Sequence, residues 1–465
     1  MKLDAELLSR LQFAFTVTFH IIFPSMSIGL AAFLVLTEAL YLRTRDELYV
    51  RVYRFWAVIF AMGFGMGVVS GIVMSFEFGT NFSGFARAAG SVIGPVIGLE
   101  VLTAFFLEAG FLGIMLFGWE RVGQRLHFLA TCLVSLGTTI SAACIMVVNS
   151  WMQTPAGVRW ESGSLVVDSW WHVVMNPSYP YRFLHMLMAA WITASFLVAG
   201  VAAYYLLRGR HTGFARRCFS MGLGAASLLL PLQLFLGDVL AVDVMAPRQP
   251  AKVQAMEGFW ETTHSAPYNL VVVPDQEGQR NRFSLSVPYL GSLLVTKTLH
   301  EPVPGLRETP RAEQPRMWLV FYAFRVMFLL GTLMFCVSVY SLWLRFRRRL
   351  YGARGFQRFV MLLTPSGFLC VLGGWYTAET GRQPYVIYGL LRTADSVSPV
   401  SAGSVLWSLM LFVVFYGILL AAFLYFVRKV IRRGPVDAPA VAHPSGTVKR
   451  AFMPRAAQQE REEAA

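Results

Sequence analysis

Nine apolar stretches, each long enough to cross a lipid bilayer as a helix, constrain this 465-residue chain more than any other feature. The hydrocarbon core of a bilayer is about 30 Å thick and needs about 20 helical residues. The stretches occupy residues 11–42, 55–76, 92–119, 128–149, 183–207, 219–244, 318–344, 359–378 and 405–427. Because 56% of the residues are hydrophobic and 14% charged, one soluble core could not bury the apolar surface. The sequence predicts an all-α, polytopic membrane protein with nine transmembrane helices.

Basic residues collect in alternate connectors, which predicts the orientation of the chain. Arginines cluster after the first, third, fifth, seventh and ninth stretches, whereas the other short connectors carry one or two each. By the positive-inside rule, the N-terminus is expected to be periplasmic and the C-terminus cytoplasmic. The net charge of +14 therefore reflects topology, and we do not expect a nucleic-acid partner.

One long connector and one tail depart from this pattern. Residues 1–433 are expected to form the membrane domain, within which residues 245–316 form a periplasmic connector rich in proline, glycine and charge. A connector of this length is expected to shape a site. Residues 434–465 mix Pro, Ala, Arg and Glu without periodicity and are expected to form a disordered cytoplasmic tail.

The stretch GGWYTAETGRQPYVIY, residues 373–388, places a carboxylate at the edge of an apolar segment. Glu379 is followed three residues later by Arg382. A carboxylate in this position is costly unless it is paired, neutral or bound to a positive group. Three interpretations stay open here: an ion pair between Glu379 and Arg382, a proton-carrying carboxylate, or a ligand for a metal.

Of the eight histidines, only His20 and His185 lie within apolar stretches. The directions of the stretches place both, with Met327 and Glu379, in the outer half of the bilayer below the long connector. Histidine with methionine is a ligand set for low-spin heme, and a single histidine or carboxylate leaves iron a free position for O2. Buried, hydrogen-bonded histidines and an ordinary core methionine are the alternatives. The other histidines are interpreted as surface residues: His127, His172, His211, His264, His300 and His443.

Other residues suit the same layer or a proton path. Aromatic residues, at 14%, would supply apolar walls for a heme, and its propionates would need cations such as Arg10, Arg325 and Arg382. In the third stretch, Glu100 and Glu108 lie about 12 Å apart along a helix and suggest a proton relay. Ser141 and Thr103 are candidate bridges, and two protonated acids that only pack are the alternative. Glycines repeat every four residues at Gly63, Gly67 and Gly71, which favours close helix packing, with contact to a cofactor as the second interpretation.

Several longer motifs occur in one order along the chain: SRLQFAFT, FEFGTNF, GLEVLTAFFLEAG, FGWERVG, NSWMQTP, FLH at 183–185, FYAFRVM at 321–327 and GRQPY at 381–385. With them the chain resembles subunit I of the cytochrome bd quinol oxidases, over nearly its whole length to about Arg433. The short passage from Pro288 to Met317 resembles the branch with a short quinol loop, which is often cyanide-insensitive.

The resemblance implies three cofactors: a low-spin heme b558, a high-spin heme b595 and the chlorin heme d. His185 and Met327 would be the axial ligands of heme b558. His20 and Glu379 would each hold one of the other two hemes, and which of them holds heme d is left open. The resemblance places Arg325, Arg382 and Trp375 in heme-contacting motifs, Glu100 and Glu108 on the proton path, and Lys252 and Glu257 at the quinol site.

The implied function is a terminal oxidase of the bacterial inner membrane. Quinol would be oxidised on the periplasmic side and O2 reduced to water with cytoplasmic protons, so that a membrane potential forms without a pump. A second subunit, and possibly a small single-helix subunit, are the partners that the resemblance implies. The rival hypotheses are a transporter that couples proton movement through Glu100 and Glu108 to a solute, and a heme protein that only relays electrons.

Overall fold

The computed structural model describes residues 4–436. Within that range, nine helices are long and apolar enough to cross a membrane, as predicted. They run over Ala5–Thr44, Glu47–Thr80, Ser83–Phe117, Gln124–Gln153, Tyr179–Leu207, Thr212–Met245, Met317–Phe346, Arg354–Gly381 and Ala402–Arg433. Most extend beyond the predicted apolar cores because polar residues form their ends. The orientation of the termini stays a prediction, and the predicted tail lies, from residue 437 onward, outside the described residues.

The first two helices form a tight antiparallel pair because both are capped at the link between them. Helix α1 (Ala5–Thr44) ends at Arg45, which adopts the left-handed conformation with φ 57°. The carboxylate of Asp46 then accepts the Leu48 N–H at 2.9 Å and so begins α2 (Glu47–Thr80). Along α2, Gly63, Gly67 and Gly71 face Met26, Phe23 and His20 of α1. The glycine repeat therefore packs α2 closely on α1, as predicted.

Two of the spanning helices contain a π-helical segment, which the sequence analysis did not foresee. The third span consists of α3 (Ser83–Leu99), a π segment (Glu100–Phe105) and α4 (Phe106–Phe117). The sixth consists of α8 (Thr212–Val239) and a π segment (Leu240–Met245). Such segments are rare and frequently occur at functional sites. The first begins at Glu100, and the second follows directly on a helix end that contacts His185.

The remaining spans complete the membrane domain. They are α5 (Gln124–Gln153), α7 (Tyr179–Leu207), α11 (Met317–Phe346), an eighth span built from α12 (Arg354–Leu362) and α13 (Ser366–Gly381), and α15 (Ala402–Arg433). Helix α7 is central, and a Cβ on Gly29 of α1 would lie only 2.3 Å from the carbonyl oxygen of Ala190 on α7. In contrast, α15 is exposed along most of its length and so presents an apolar surface to lipid or a partner.

The connectors add short helices and three two-stranded antiparallel sheets to the helical fold. The long connector contains α9 (Pro250–Glu257), a hairpin of β3 (Tyr268–Asp275) and β4 (Arg280–Val287), and α10 (Leu290–Thr296). Helix α9 packs against α11 and α13. The smaller elements are β1 (Val158–Glu161), β2 (Ser164–Val167), α6 (Trp170–Val174), β5 (Tyr385–Ile387), β6 (Leu391–Arg392) and α14 (Thr393–Ser396).

Candidate functional site

Glu379 lies two residues before the end of α13, and three side chains hold its carboxylate. Its Oε1 accepts hydrogen bonds from Nδ2 of Asn149 at 2.9 Å and from Nε2 of Gln153 at 3.3 Å. Its Oε2 forms an ion pair with Arg382. Asn149 and Gln153 are one turn apart at the end of α5, so two helices converge on one acid. The ion-pair interpretation therefore describes a real contact, and the other two interpretations stay predictions.

Two further cations lie around this carboxylate. Nη2 of Arg182 donates to Oδ1 of Asn149 at 2.8 Å, and Nζ of Lys252 donates to Oε1 of Gln153. The sequence analysis counted Arg182 among the connector arginines, but it lies in the first turn of α7 and its Nε is buried. Lys252 comes from α9 of the long connector and is 3% exposed. With Arg382, three cations therefore surround a single carboxylate.

The pKa values of two of these cations are lowered, and burial is the main cause. Burial lowers the pKa of Lys252 well below its usual range, the Arg182 guanidinium acts in the same direction, and Glu379 opposes both. Burial also lowers the pKa of Arg382, again against Glu379. Nε and Nη1 of Arg382 are buried without a hydrogen-bond partner. An anionic group bound here would accept these hydrogen bonds and stabilise the cations.

His185 and Met327 come from different helices, α7 and α11, and both lie near the sixth span. A Cβ on Gly237 of α8 would lie 3.1 Å from Cε1 of His185. One turn later, Ala241 packs against the same apolar cluster as Met327. Nδ1 of His185 is buried without a partner, and its Nε2 lies 3.2 Å from Nε2 of Gln233. The imidazole of His185 therefore contacts the end of α8 and retains unused capacity to bind.

The imidazole of His20 has one nitrogen engaged and one free. Its Nδ1 lies 2.9 Å from Oγ of Ser70, and that hydroxyl donates to the carbonyl oxygen of Met66 at 2.7 Å. The Ser70 oxygen therefore accepts from Nδ1–H, and Nε2 of His20 keeps its lone pair. Metal-binding histidines commonly donate their second ring N–H in this way. A Cβ on Gly71 would lie 3.2 Å from Cε1 of His20, so the glycine repeat also makes room for the ring.

The remaining side chains predicted to contact a cofactor, Arg10, Arg325 and Trp375, lie in different surroundings. Arg10 is partly exposed and lies 3.5 Å from Glu6 on the same helix. Arg325 is buried and pairs with Glu257 of the connector at 3.1 Å, while its Nε donates to the carbonyl oxygen of Asn269 at 2.7 Å. Of the three arginines predicted to bind propionates, Arg382 alone lies beside Glu379. Trp375 has its ring 4.9 Å from that of Tyr376 and 6.5 Å from that of Phe13.

Glu100 and Glu108 both face α5. Oγ of Ser141 donates to Oε1 of Glu100 at 2.7 Å. A Cβ on Gly137, one turn away from Ser141, would lie 2.8 Å from Cγ of Glu108. Ser141 thus contacts Glu100, and its role as a bridge between the acids stays a prediction. Thr103 does not bridge the acids, because its hydroxyl donates to the carbonyl oxygen of Leu99 at 2.6 Å.

His127 contradicts its interpretation as a surface residue. It lies three residues after the start of α5, is 2% exposed and contacts Glu38 of α1 at 2.6 Å. Hydropathy alone could not distinguish a buried histidine from an exposed one at a helix end. One signal for the burial of His127 was available in the sequence. Glu38 lies within the first apolar stretch, and a buried carboxylate requires a partner.

These side chains suit a metal that arrives within a prosthetic group. Across residues 4–436, no three His, Cys, Asp or Glu side chains gather into a metal site. Each candidate would therefore supply one axial ligand, and a porphyrin would supply the remaining ligands of the iron. The free imidazole nitrogens and the unpaired N–H groups of Arg382 fit such a group and its propionates.

Comparisons with known proteins agree with this geometry. The family model of cytochrome bd terminal oxidase subunit I matches residues 8–435. Cytochrome bd ubiquinol oxidase subunit 1 of Bacillus subtilis is 34% identical, over 92% of this chain and 93% of the relative. Cytochrome bd-II ubiquinol oxidase subunit 1 of Escherichia coli is 32% identical, over 92% of this chain and 96% of the relative.

A solved structure extends the likeness to the fold. The bd oxidase from Geobacillus thermodenitrificans matches with a TM-score of 0.86 at 30% identity, over 93% of this chain and 99% of that chain. The predicted resemblance is therefore confirmed. The chain belongs to the family of cytochrome bd terminal oxidase subunit I, whose members are multi-pass proteins of the bacterial inner membrane.

Proposed function

We propose that this chain is the heme-carrying subunit of a quinol:oxygen oxidoreductase and that His185 with Met327 would hold heme b558. His20 and Glu379 would each hold one of heme b595 and heme d. Bound at these residues, heme would supply the electron transfer and the reduction of O2 to water. The proposal rests on the three cations around Glu379, two of them buried and one half-buried, whose buried N–H groups on Arg182 and Arg382 lack partners. Arg382 and Arg182 would bind propionates, while Ser70 orients His20.

The long connector is the proposed site of quinol oxidation. Lys252 and Glu257 lie on α9, which packs against the helices that carry Met327 and Glu379. A quinol headgroup there would meet an ammonium that can donate a hydrogen bond and a carboxylate that can accept the hydroxyl proton. Lys252 now contacts Gln153, and Glu257 contacts Arg325, so both are held in fixed positions. Protons released here would leave on the periplasmic side.

The acids of the third span would carry protons to the oxygen site from the cytoplasmic side. Glu108 lies deeper from the periplasmic end than Glu100, and both face α5. The hydroxyl of Ser141 stabilises Glu100. Because protons would enter from one face and leave at the other, turnover would build a membrane potential without pumping.

The exposed apolar helices indicate where partners would bind. Along α15, and along parts of α3 and α4, large hydrophobic side chains are exposed. We propose that subunit II and a small single-helix subunit cover part of this surface and that lipid covers the rest. The visible spectrum of the purified complex and O2 uptake with a short-chain quinol test the function. A colourless protein would favour the proton-coupled transporter, and a coloured protein without O2 uptake would favour an electron relay.

Replacing Glu108 with glutamine is expected to slow O2 consumption by at least about 10-fold, because an amide cannot pass on a proton. The heme spectrum should be almost unchanged, since Gln fills the same volume against Gly137. Glu161→Gln is the control, because Glu161 is an exposed partner of Arg159 at 3.0 Å in a different connector. If Glu108→Gln consumes O2 as fast as wild type, Glu108 is not part of the proton path.

Replacing Gly237 with valine is expected to reduce the low-spin heme b signal. A side chain there meets Cε1 of His185, so the ring must turn away from its position. Gly417→Val on the exposed α15 is the control, because a Cβ at Gly417 has no heavy atom within 4 Å and the helix carries none of the proposed ligands. The difference spectrum of dithionite-reduced membranes measures the effect. Equal signals from the two variants would show that Gly237 does not position His185.

A further inference from the structure

Glu38 and His127 form a buried acid–base pair, separate from the acids of the third span. The pair lies at the end of the membrane domain that carries the clustered arginines. Both residues are 2% exposed, and Nδ1 of His127 lies 2.6 Å from Oε1 of Glu38. The hydroxyl of Thr131 donates to Oε2 of Glu38 at 2.6 Å. The hydroxyl of Tyr53 lies 2.8 Å from Oγ1 of Thr131. Nothing proposed above uses this group of four side chains.

The hydrogen bonds around the pair require one shared proton. Nε2 of His127 lies 3.1 Å from the carbonyl oxygen of Met115, which can only accept, so Nε2 carries a hydrogen. If His127 were neutral and Glu38 ionised, two lone pairs would then face each other across 2.6 Å. The contact is stable only when a proton lies between Nδ1 and Oε1. The pair is therefore a proton-binding site inside the membrane domain.

The pair belongs to the same group of helices as Glu108. Glu38, Tyr53 and His127 come from α1, α2 and α5, and the Met115 carbonyl comes from α4, which also carries Glu108. Gly137, beside Glu108, follows Thr131 by six residues, or about 9 Å along α5. Further along α5, the hydroxyl of Ser141 donates to Glu100, while that of Thr138 donates to the carbonyl oxygen of Ser135 on its own helix. Of the two acids that face α5, Glu108 is therefore the nearer one to the pair along the axis of α5.

A small cavity connects the pair with the end of the helices. Its volume is about 10 Å³, enough for one water molecule, and Glu38, His127, Trp119 and Gln124 are among its lining residues. Gln124 lies in the first turn of α5 and accepts a hydrogen bond from the exposed Arg45. The cavity therefore places room for one water molecule beside both members of the pair, close to the end of α5.

We propose that Glu38 and His127 form the proton-loading site that passes protons from the cytoplasmic face to Glu108. This inference rests on the proposed function, because it extends the path through Glu108 and Glu100. The pair gives its proton, by way of water, to the ionised carboxylate of Glu108 and takes a new one from the cytoplasmic side. Glu108 passes its proton on towards Glu100, so that each group returns to its starting state. Other titratable and charged groups around the pair are Tyr41, Tyr53, Cys132, Arg45, Arg54 and Glu120.

Glu38→Gln and His127→Gln in the intact oxidase complex test the proposal. In both variants, steady-state O2 uptake with a short-chain quinol should fall at least 10-fold. Anaerobic reduction of the hemes by quinol, and the heme content, should equal wild type. Imidazole added to His127→Ala should restore part of the O2 uptake, and more so as its neutral fraction rises with pH. A purely structural role would not give this pH dependence.

Two further variants make the result decisive. Thr131→Val removes the donor to Glu38 and should slow turnover even if the histidine variants fail to assemble. Tyr205→Phe removes a buried hydroxyl, which donates to the Ile431 carbonyl at 2.6 Å on another helix, and should leave turnover unchanged. Wild-type turnover in Glu38→Gln and Thr131→Val would overturn the proposal. Loss of quinol-driven heme reduction in wild type would instead overturn the proposed function.

Discussion

Replacing His185 with alanine is expected to abolish the low-spin heme b spectrum and to lower quinol-dependent O2 uptake by at least about 100-fold, because an axial ligand matters more than the groups that orient it. The methyl side chain offers iron no ligand. The chain should still fold, since His185 makes a single side-chain hydrogen bond, to Gln233. The reduced-minus-oxidised spectrum and the heme content by pyridine hemochrome measure the result.

Met327→Leu separates ligation from packing in the same site. Leucine keeps the apolar volume against Gly373 and Gly374 of α13 but lacks the thioether sulfur, which would lie 2.9 Å from a Cβ on Gly374. We expect the heme to remain bound while its spectrum changes from low-spin to high-spin. His172→Ala, at an exposed position on α6, is the control for His185 and should change neither property. A full low-spin band in both site variants would contradict the assignment.

Sequence reasoning could single out candidate residues because hydrocarbon makes polar groups expensive. His20, His185, Glu379, Glu100 and Glu108 each stand out within an apolar stretch, whatever surrounds them. The number of helices follows from the same contrast between apolar stretches and polar connectors. The π-helical segments could not be predicted, since the residues around Glu100 are as apolar as those of an ordinary helix.

The partners of these residues were not predictable, because contacts in this fold join distant parts of the chain. Asn149 and Glu379 are separated by 230 positions, and Glu38 and His127 by 89. Arg182 was overlooked because an arginine at a helix end usually extends towards water. Its burial follows from Asn149 and Glu379, whose positions only the three-dimensional structure gives. Arg325 pairs with Glu257, which the connector supplies by folding back, and this partner was not foreseen. Its Nη1 has no hydrogen-bond partner, so its assignment to a propionate stays a prediction.

Glu257→Leu is expected to destabilise the protein by about 3–5 kcal/mol, because it leaves the buried charge of Arg325 without its partner. Arg325 is 3% exposed, and its guanidinium carbon lies 4.3 Å from the ring centre of Tyr268, so water cannot replace the carboxylate. Arg307→Met is the control within the same connector. Its ion pair with Glu261 is exposed, and losing it should cost less than about 1 kcal/mol. Thermal unfolding of the purified complex measures both.

The double variant Glu257→Leu with Arg325→Met decides what the pair is for. Removing both charges should restore most of the lost stability, because neither is then left buried alone. If Glu257 accepts a proton from quinol, the double variant should regain its thermal stability and its heme content while quinol-dependent O2 uptake remains low. If O2 uptake returns together with stability, Glu257 serves only to anchor the connector to α11, and the quinol site must use other groups.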